Sequence, residues 1–156
     1  MSEPRTYTVQ RSTTVHAPAD RIYEEVVDFH RWTAWSPWED LDPDLQRTYS
    51  GPAQGPGSVY EWSGNRKAGA GRMEIVEALP GSRVAVDLSF VKPFRSRSTT
   101  TFTMEPAGEE TRVTWTMSGP RTLGLKVMGL FTSMDKLVGG DFEKGLSRLK
   151  SVAERQ

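Results

Sequence analysis

The sequence predicts an α+β fold: one antiparallel sheet covered by one long C-terminal helix. Three observations carry this. First, apolar residues recur at steps of three and four near the C-terminus. They are Leu123, Val127, Leu130, Phe131, Met134, Val138, Phe142, Leu146, Leu149 and Val152, which line one stripe of a helix. Second, short runs of alternating and β-branched residues fill most of the chain before it, separated by Gly, Pro and Asn turns. Third, most of those turns are short, so consecutive strands pair antiparallel and leave an apolar face to cover.

Taken in order, Thr6 to Val15 alternates and reads as the first strand. Ala17-Pro18-Ala19-Asp20 stops it and opens a short helix over about Pro18 to Asp28, with Ile22, Tyr23, Val26, Val27 and Phe29 at helical spacing. Pro18 fits the first turn and Asp20 complements the dipole. Trp32, Trp35 and Trp38 follow at spacing three, in a second short helix or turn ended by Pro37. Six strands come next: Gln46 to Ser50, Ser58 to Ser63, Lys67 to Glu77, Val84 to Phe90, Ser98 to Met104 and Thr111 to Ser118. Tyr60 and Trp62 share one face. So do Val84, Val86, Leu88 and Phe90, then Thr100, Phe102 and Met104, then Val113, Trp115 and Met117.

The helix from Met134 on has about 21 residues and a length of roughly 31 Å at 1.5 Å per residue. It is too long to stand alone and must lie across the sheet. Lys126, Asp135, Lys136, Asp141, Lys144, Arg148 and Lys150 fall on its water side. Gly124, Gly129, Gly139, Gly140 and Gly145 weaken it, at about 1 kcal/mol each relative to Ala. Either these small residues admit another backbone closely, or Gly139-Gly140 or Gly129 marks a bend or a join between a short helix and the long one.

At 156 residues the chain is read as a single domain over residues 1–156. It has no cysteine, which excludes disulfides, thiol catalysis and cysteine-bound metal, and fits a cytoplasmic protein. Lys plus Arg and Asp plus Glu are both 20, so no net field argues for nucleic acid. No signal peptide and no membrane span are expected.

Chemistry-bearing patterns are sparse. His16 and His30 are the only imidazoles and have no carboxylate at ligand spacing, so no metal and no cofactor are expected. No Ser sits in a nucleophile elbow. Gly69-Ala70-Gly71 lacks the following helix of a phosphate loop and reads as a strand with close backbone approach. Arg72, Glu61 and Glu74 stand on neighbouring strands. If Met73 and Ile75 face the core, Arg72 and Glu74 face water; a bulge that flipped the parity would turn Arg72 inward. Trp32, Trp35, Trp38, Tyr60, Trp62, Phe90, Phe102 and Trp115 converge on one space, as core or as pocket wall. An empty cavity costs about 24 cal/mol per Å³. A dry space of about 500 Å³ would then cost on the order of 12 kcal/mol, which rivals a domain's whole stability of about 5–15 kcal/mol. Either the rings shrink the space, or water or a ligand fills it.

Several segments carry a resemblance. They are Val15-His16-Ala17-Pro18-Ala19-Asp20-Arg21-Ile22-Tyr23, Trp32-Thr33-Ala34-Trp35-Ser36-Pro37-Trp38, Tyr60-Glu61-Trp62-Ser63-Gly64-Asn65, Gly69-Ala70-Gly71-Arg72-Met73, Thr111-Arg112-Val113-Thr114-Trp115 and Asp141-Phe142-Glu143-Lys144-Gly145-Leu146. With the element order, they resemble the helix-grip fold of the START-like superfamily, in its polyketide cyclase/dehydrase-like branch. The resemblance implies a curved seven-stranded antiparallel sheet wrapped around the C-terminal helix, with two short helices between strands 1 and 2. It also implies a cavity for a small hydrophobic or aromatic molecule. On that reading Trp35, Trp62, Phe90, Phe102, Trp115 and Met117 form the sheet-side walls, and Met134, Val138 and Phe142 the helix-side lid. The expected function is binding or transport of such a ligand by a monomer or homodimer. Two alternatives stand beside it. One is an aromatase/cyclase or dehydratase-like enzyme with Arg72, Glu61 or Tyr60 handling protons. The other is a protein-interaction module with Trp32 to Trp38 as an exposed patch.

Overall fold

Seven alternating runs pair into one antiparallel sheet. The structure, a computed structural model, describes residues 6–40, 42–66, 68–92, 95–120 and 134–155. The strands are β1 (Thr6–Val15), β2 (Gln46–Ser50), β3 (Val59–Ser63), β4 (Ala70–Leu79), β5 (Arg83–Lys92), β6 (Ser96–Ala107) and β7 (Glu110–Pro120). Their order across the curved sheet is β1-β7-β6-β5-β4-β3-β2. The helices are α1 (Ala19–Val26) and α2 (Met134–Glu154), and two 3-10 turns follow α1 at Phe29–Ala34 and Pro37–Asp40.

Local chemistry explains where these boundaries depart from the sequence reading. The first helix ends at Val26 rather than Asp28, because Asp28 starts the next turn by accepting the His30 N–H at 2.9 Å. The tryptophan segment divides into two turns at Pro37, whose fixed φ suits a first helical position. β4 begins at Ala70 rather than Lys67, because the preceding residues close a loop. Gly64 N–H donates to Gly69 O at 2.9 Å, and Ala68 N–H donates to the Asn65 side chain at 3.0 Å.

Register places the expected residues on one inner face. Trp115 lies opposite Phe102 and Arg11, Phe102 opposite Val84, and Met117 opposite Thr100 and Val9. Ile75 lies opposite Val86, and Tyr60 opposite Met73 and Tyr49. Across β2 to β6, Arg47, Trp62, Gly71, Phe90 and Ser96 form a continuous cross-strand row near one end of the sheet.

Among the described residues the long helix covers Met134–Glu154 and lies chiefly along β1, touching β7, α1 and both turns. Phe142, Leu146, Leu149 and Ala153 are buried and Val152 is half-buried. The rest of the expected stripe, Leu123, Val127, Leu130 and Phe131, lies outside the described residues. So do Lys126, Gly124, Gly129 and the side chains of Met134 and Val138.

α2 runs unbroken through Gly139-Gly140, so no short-helix junction occurs there. Close approach explains two of its glycines. A Cβ at Gly139 would meet the Arg11 guanidinium. At Gly145 it would stand 2.7 Å from Trp115 Cζ3 and 3.0 Å from Pro37 Cδ. Gly140 is exposed, and a Cβ there would meet nothing within 4 Å.

These two neighbourhoods predict opposite effects from one substitution. Gly145→Ala overpacks the Trp115 contact at a cost of about 1–3 kcal/mol, which outweighs the ~1 kcal/mol gain in helix propensity. Gly140→Ala gains about 1 kcal/mol with nothing to oppose it. Urea unfolding of the two variants should therefore shift the midpoint in opposite directions.

Candidate functional site

The inner face has two unlike ends. At one end the aromatic rings interlock. Trp115 stacks on Phe142 of α2 with centroids 4.1 Å apart and planes 5° from parallel. Phe102 lies 4.7 Å from Trp115, and Trp35 meets both edge-on at 5.6 and 5.7 Å. Trp32 adjoins Trp35 at 4.7 Å. Trp35, Phe102, Trp115 and Phe142 are each buried to 1% exposure or less.

The tryptophan segment is held there by the end of α1. A helix leaves its last carbonyls without intrahelical partners. Here Trp32 Nε1–H donates to Val26 O at 2.8 Å, and Trp35 Nε1–H donates to Glu25 O at 3.1 Å. Trp32 and Trp35 are buried and Trp38 is half-buried. The expectation of an exposed Trp32–Trp38 patch is thus corrected: these indoles are taken up by α1 and the core.

At the other end the inner face stays half-buried. Trp62, Met73, Leu88 and Phe90 are partly exposed there, beside Tyr49. Trp62 lies flat over Gly71, where a Cβ would sit 2.5 Å from Cη2 and 2.7 Å from Cζ2 of the indole. That space lets Trp62 reach across β4 to Phe90, at 5.4 Å and 89°. The Trp62 N–H is fixed by Ala68 O at 2.9 Å.

A polar cluster flanks this end. Tyr60 O–H donates to Glu39 Oε1 at 2.9 Å, and Arg47 Nε–H donates to Glu39 Oε2 at 2.7 Å. The Glu39 side chain is 7% exposed and that of Arg47 30%. Burial, followed by the Glu39 charge, holds the Tyr60 hydroxyl well above the ordinary tyrosine range. The hydrogen bond to Glu39 raises Arg47. Burial also raises Tyr49, which stacks on His30 at 4.0 Å.

The three proton-handling candidates separate. Arg72 and Glu61 are exposed on the outer face, opposite one another in register. Arg72 pairs there with Glu74 at 3.1 Å. The register shifts in β4 fall at Ala70/Gly71 and Ile75/Glu77, on either side of Arg72, and leave it outward. Tyr60 alone is inward. Met117 is buried beside the rings. His16 and His30 are exposed and contact Glu110 and Asp28. Among the described residues no group of His, Asp and Glu has metal-site geometry, and no helix is long and apolar enough to cross a membrane.

Sequence reasoning missed Glu39 and Arg47. Neither stands out in the sequence: the pairing of β2 with β3 brings Arg47, and the Pro37–Asp40 turn brings Glu39, to Tyr60.

Residues 6–154 match the family profile described as polyketide cyclase/dehydrase and lipid transport. The chain belongs to this family. Among solved structures, protein MLL2253 from Mesorhizobium loti aligns over 96% of this chain and 98% of its own, at 15% identity and a TM-score of 0.70. TTHA0849 from Thermus thermophilus aligns over 96% and 98%, at 20% identity and a TM-score of 0.68. DynU16, a protein of the dynemicin biosynthetic locus, aligns over 94% of this chain but 47% of its own, at 21% identity and a TM-score of 0.60. At these identities the structures share the fold of this family member. No curated protein matches the sequence.

The Tyr60–Glu39 bond predicts an alkaline limb in stability. Tyr60 is raised above its ordinary value of 10.0 in the folded chain. The unfolded chain therefore loses this proton first, and stability falls as pH rises above about 10. Thermal melts between pH 8 and 11 should decline more steeply for the wild type than for Tyr60→Phe. At pH 8 that variant should be less stable by about 1–3 kcal/mol, since Glu39 Oε1 loses its donor in a buried site.

Proposed function

We propose that this protein binds and carries a small apolar or aromatic molecule on the inner face of its sheet, at the end lined by Trp62, Met73, Leu88 and Phe90. The carrying observation is the contrast along that face. Phe102, Trp115, Trp35 and Phe142 fill one end with interlocked rings, while Trp62 and Phe90 stay partly exposed on the same concave surface. The site thus occupies only part of the wall set read from the sequence. Trp62 and Phe90 supply contact surface; Trp35, Phe102, Trp115 and Phe142 supply the rigid floor behind it.

Apolar burial would provide most of the affinity, at about 25 cal/mol per Å² before the costs of association. The match to a family described by both cyclase/dehydrase and lipid-transport activities agrees with a guest-binding face. Binding rather than proton transfer is favoured because Arg72 and Glu61 face outward and Tyr60 keeps its proton toward Glu39.

Two measurements test this. Native mass spectrometry of freshly expressed protein should detect a co-purified small molecule. Titration with naphthalene-sized aromatics and with fatty acids should quench tryptophan fluorescence, and Trp62→Ala should weaken the best ligand about tenfold or more. Absence of binding across the whole panel would overturn the reading.

A further inference from the structure

The open end of the inner face carries a charge arrangement that an apolar guest does not need. Arg47 stands directly opposite Trp62 in the β2–β3 register, so its guanidinium borders the aromatic wall. Glu39 takes two of its N–H groups: Nε donates to Oε2 at 2.7 Å and Nη2 to the Glu39 carbonyl at 3.5 Å. A guanidinium has five N–H donors, so others remain to meet a guest. Its charge, however, is already balanced by a carboxylate that is almost fully buried. Tyr60 supplies its O–H to that same carboxylate and keeps it in place.

We propose that Glu39 makes this site select uncharged, oxygen-bearing aromatic ligands, such as phenols and ketones, over carboxylates. The proposal rests on the ligand-binding reading above. A neutral carbonyl or hydroxyl oxygen can accept from the outer edge of Arg47 at little electrostatic cost. A carboxylate at the same place meets the same donors, but also the Glu39 charge behind them. At short range and low dielectric this repulsion is weakly screened. Arg66, Lys92 and Arg95 lie in or beside the turns at this end of the sheet and are exposed. Their attraction for an anion is screened by water and salt, so they do not offset a buried carboxylate at physiological ionic strength.

The test compares naphthalene, 2-naphthol and 2-naphthoate by isothermal titration calorimetry at 0.15 M salt, against wild type, Glu39→Gln and Arg47→Gln. Circular dichroism would confirm that each variant is folded. Gln at position 39 keeps an acceptor for Tyr60 or Arg47 and removes the charge. In this variant the affinity ratio of naphthoate to naphthol should rise about tenfold over wild type, and the gain should change little as salt is added, since the charge removed is buried. In Arg47→Gln, which leaves Glu39 unbalanced, the ratio should fall below wild type. This second variant decides the question if Glu39→Gln does not fold. A ratio that stays constant in every folded variant, with naphthalene still bound, would overturn the selectivity and leave the pocket standing. Failure of all three ligands to bind wild type would overturn the pocket and the selectivity with it.

Discussion

The stack of Trp115 on Phe142 is the contact on which the rest of the structure depends. It joins the middle of β7, the strand beside the β1 edge, to the middle of α2, the two elements separated by the region outside the described residues. Two large rings at 4.1 Å and nearly parallel leave no room for a side chain on the next turn of the helix. Gly145 answers that constraint, since even a methyl group there would overlap Trp115. The helix thus gives up propensity at Gly145 to let its axis come close, and recovers it through burial of Phe142, Leu146 and Leu149. Position and tilt of α2 follow from this contact, and with them the Arg11–Glu143 pair at 2.8 Å beside Gly139.

The same ring cluster explains how the segment between α1 and β2 is fixed although it contains no long element. Trp32 and Trp35 are each anchored twice. Their rings pack on Phe29, Phe102 and Trp115, and their N–H groups close the last carbonyls of α1. A helix as short as α1 would be marginal alone. Here its polar end is finished by indoles that hydrophobic burial holds in place, so helix and core stabilise each other. This arrangement carries the chain to Pro37 and sets Glu39 down beside β2.

Most of the scaffold was legible in the sequence because side-chain parity survives translation into a sheet. The alternation in Val84, Val86, Leu88 and Phe90, or in Val113, Trp115 and Met117, states which residues share a face before any partner is known. Helical periodicity likewise marked residues 134–154 as helix, with Phe142, Leu146 and Leu149 on its buried side. Parity alone left Arg72 and Glu74 open, because a bulge could have flipped them; the register shifts of β4 fall on either side of Arg72 and leave it outward. The polar cluster was illegible for a different reason. Glu39, Arg47 and Tyr60 belong to a 3-10 turn and two strands, and their meeting depends on the order of pairing at the sheet's edge. Nothing in Trp38-Glu39-Asp40 marks Glu39 in advance as a carboxylate that will be buried. The division of the aromatic wall into a packed end and an open end was equally hidden. Composition counts rings, but only Gly71 and Gly145, seen against Trp62 and Trp115, reveal which rings are pressed flat and where.

That division bears on how such a fold keeps a site without losing its stability. A cavity through the whole inner face would forfeit contacts on the order of a domain's net stability. Filling the end under α1 and α2 with mutually supporting rings would confine that loss to the row from Arg47 to Ser96, near the strand ends where, among the described residues, turns adjoin the sheet. Rigidity behind and openness in front are then two consequences of one gradient in packing. The buried carboxylate at the margin adds what apolar surface cannot supply. Ring contacts accept any flat guest of suitable size, whereas a fixed charge that is already paired discriminates among guests by their own charge. On the proposed reading, Trp62, Gly71 and Phe90 would set size and shape, and Glu39 through Arg47 would set electrical character.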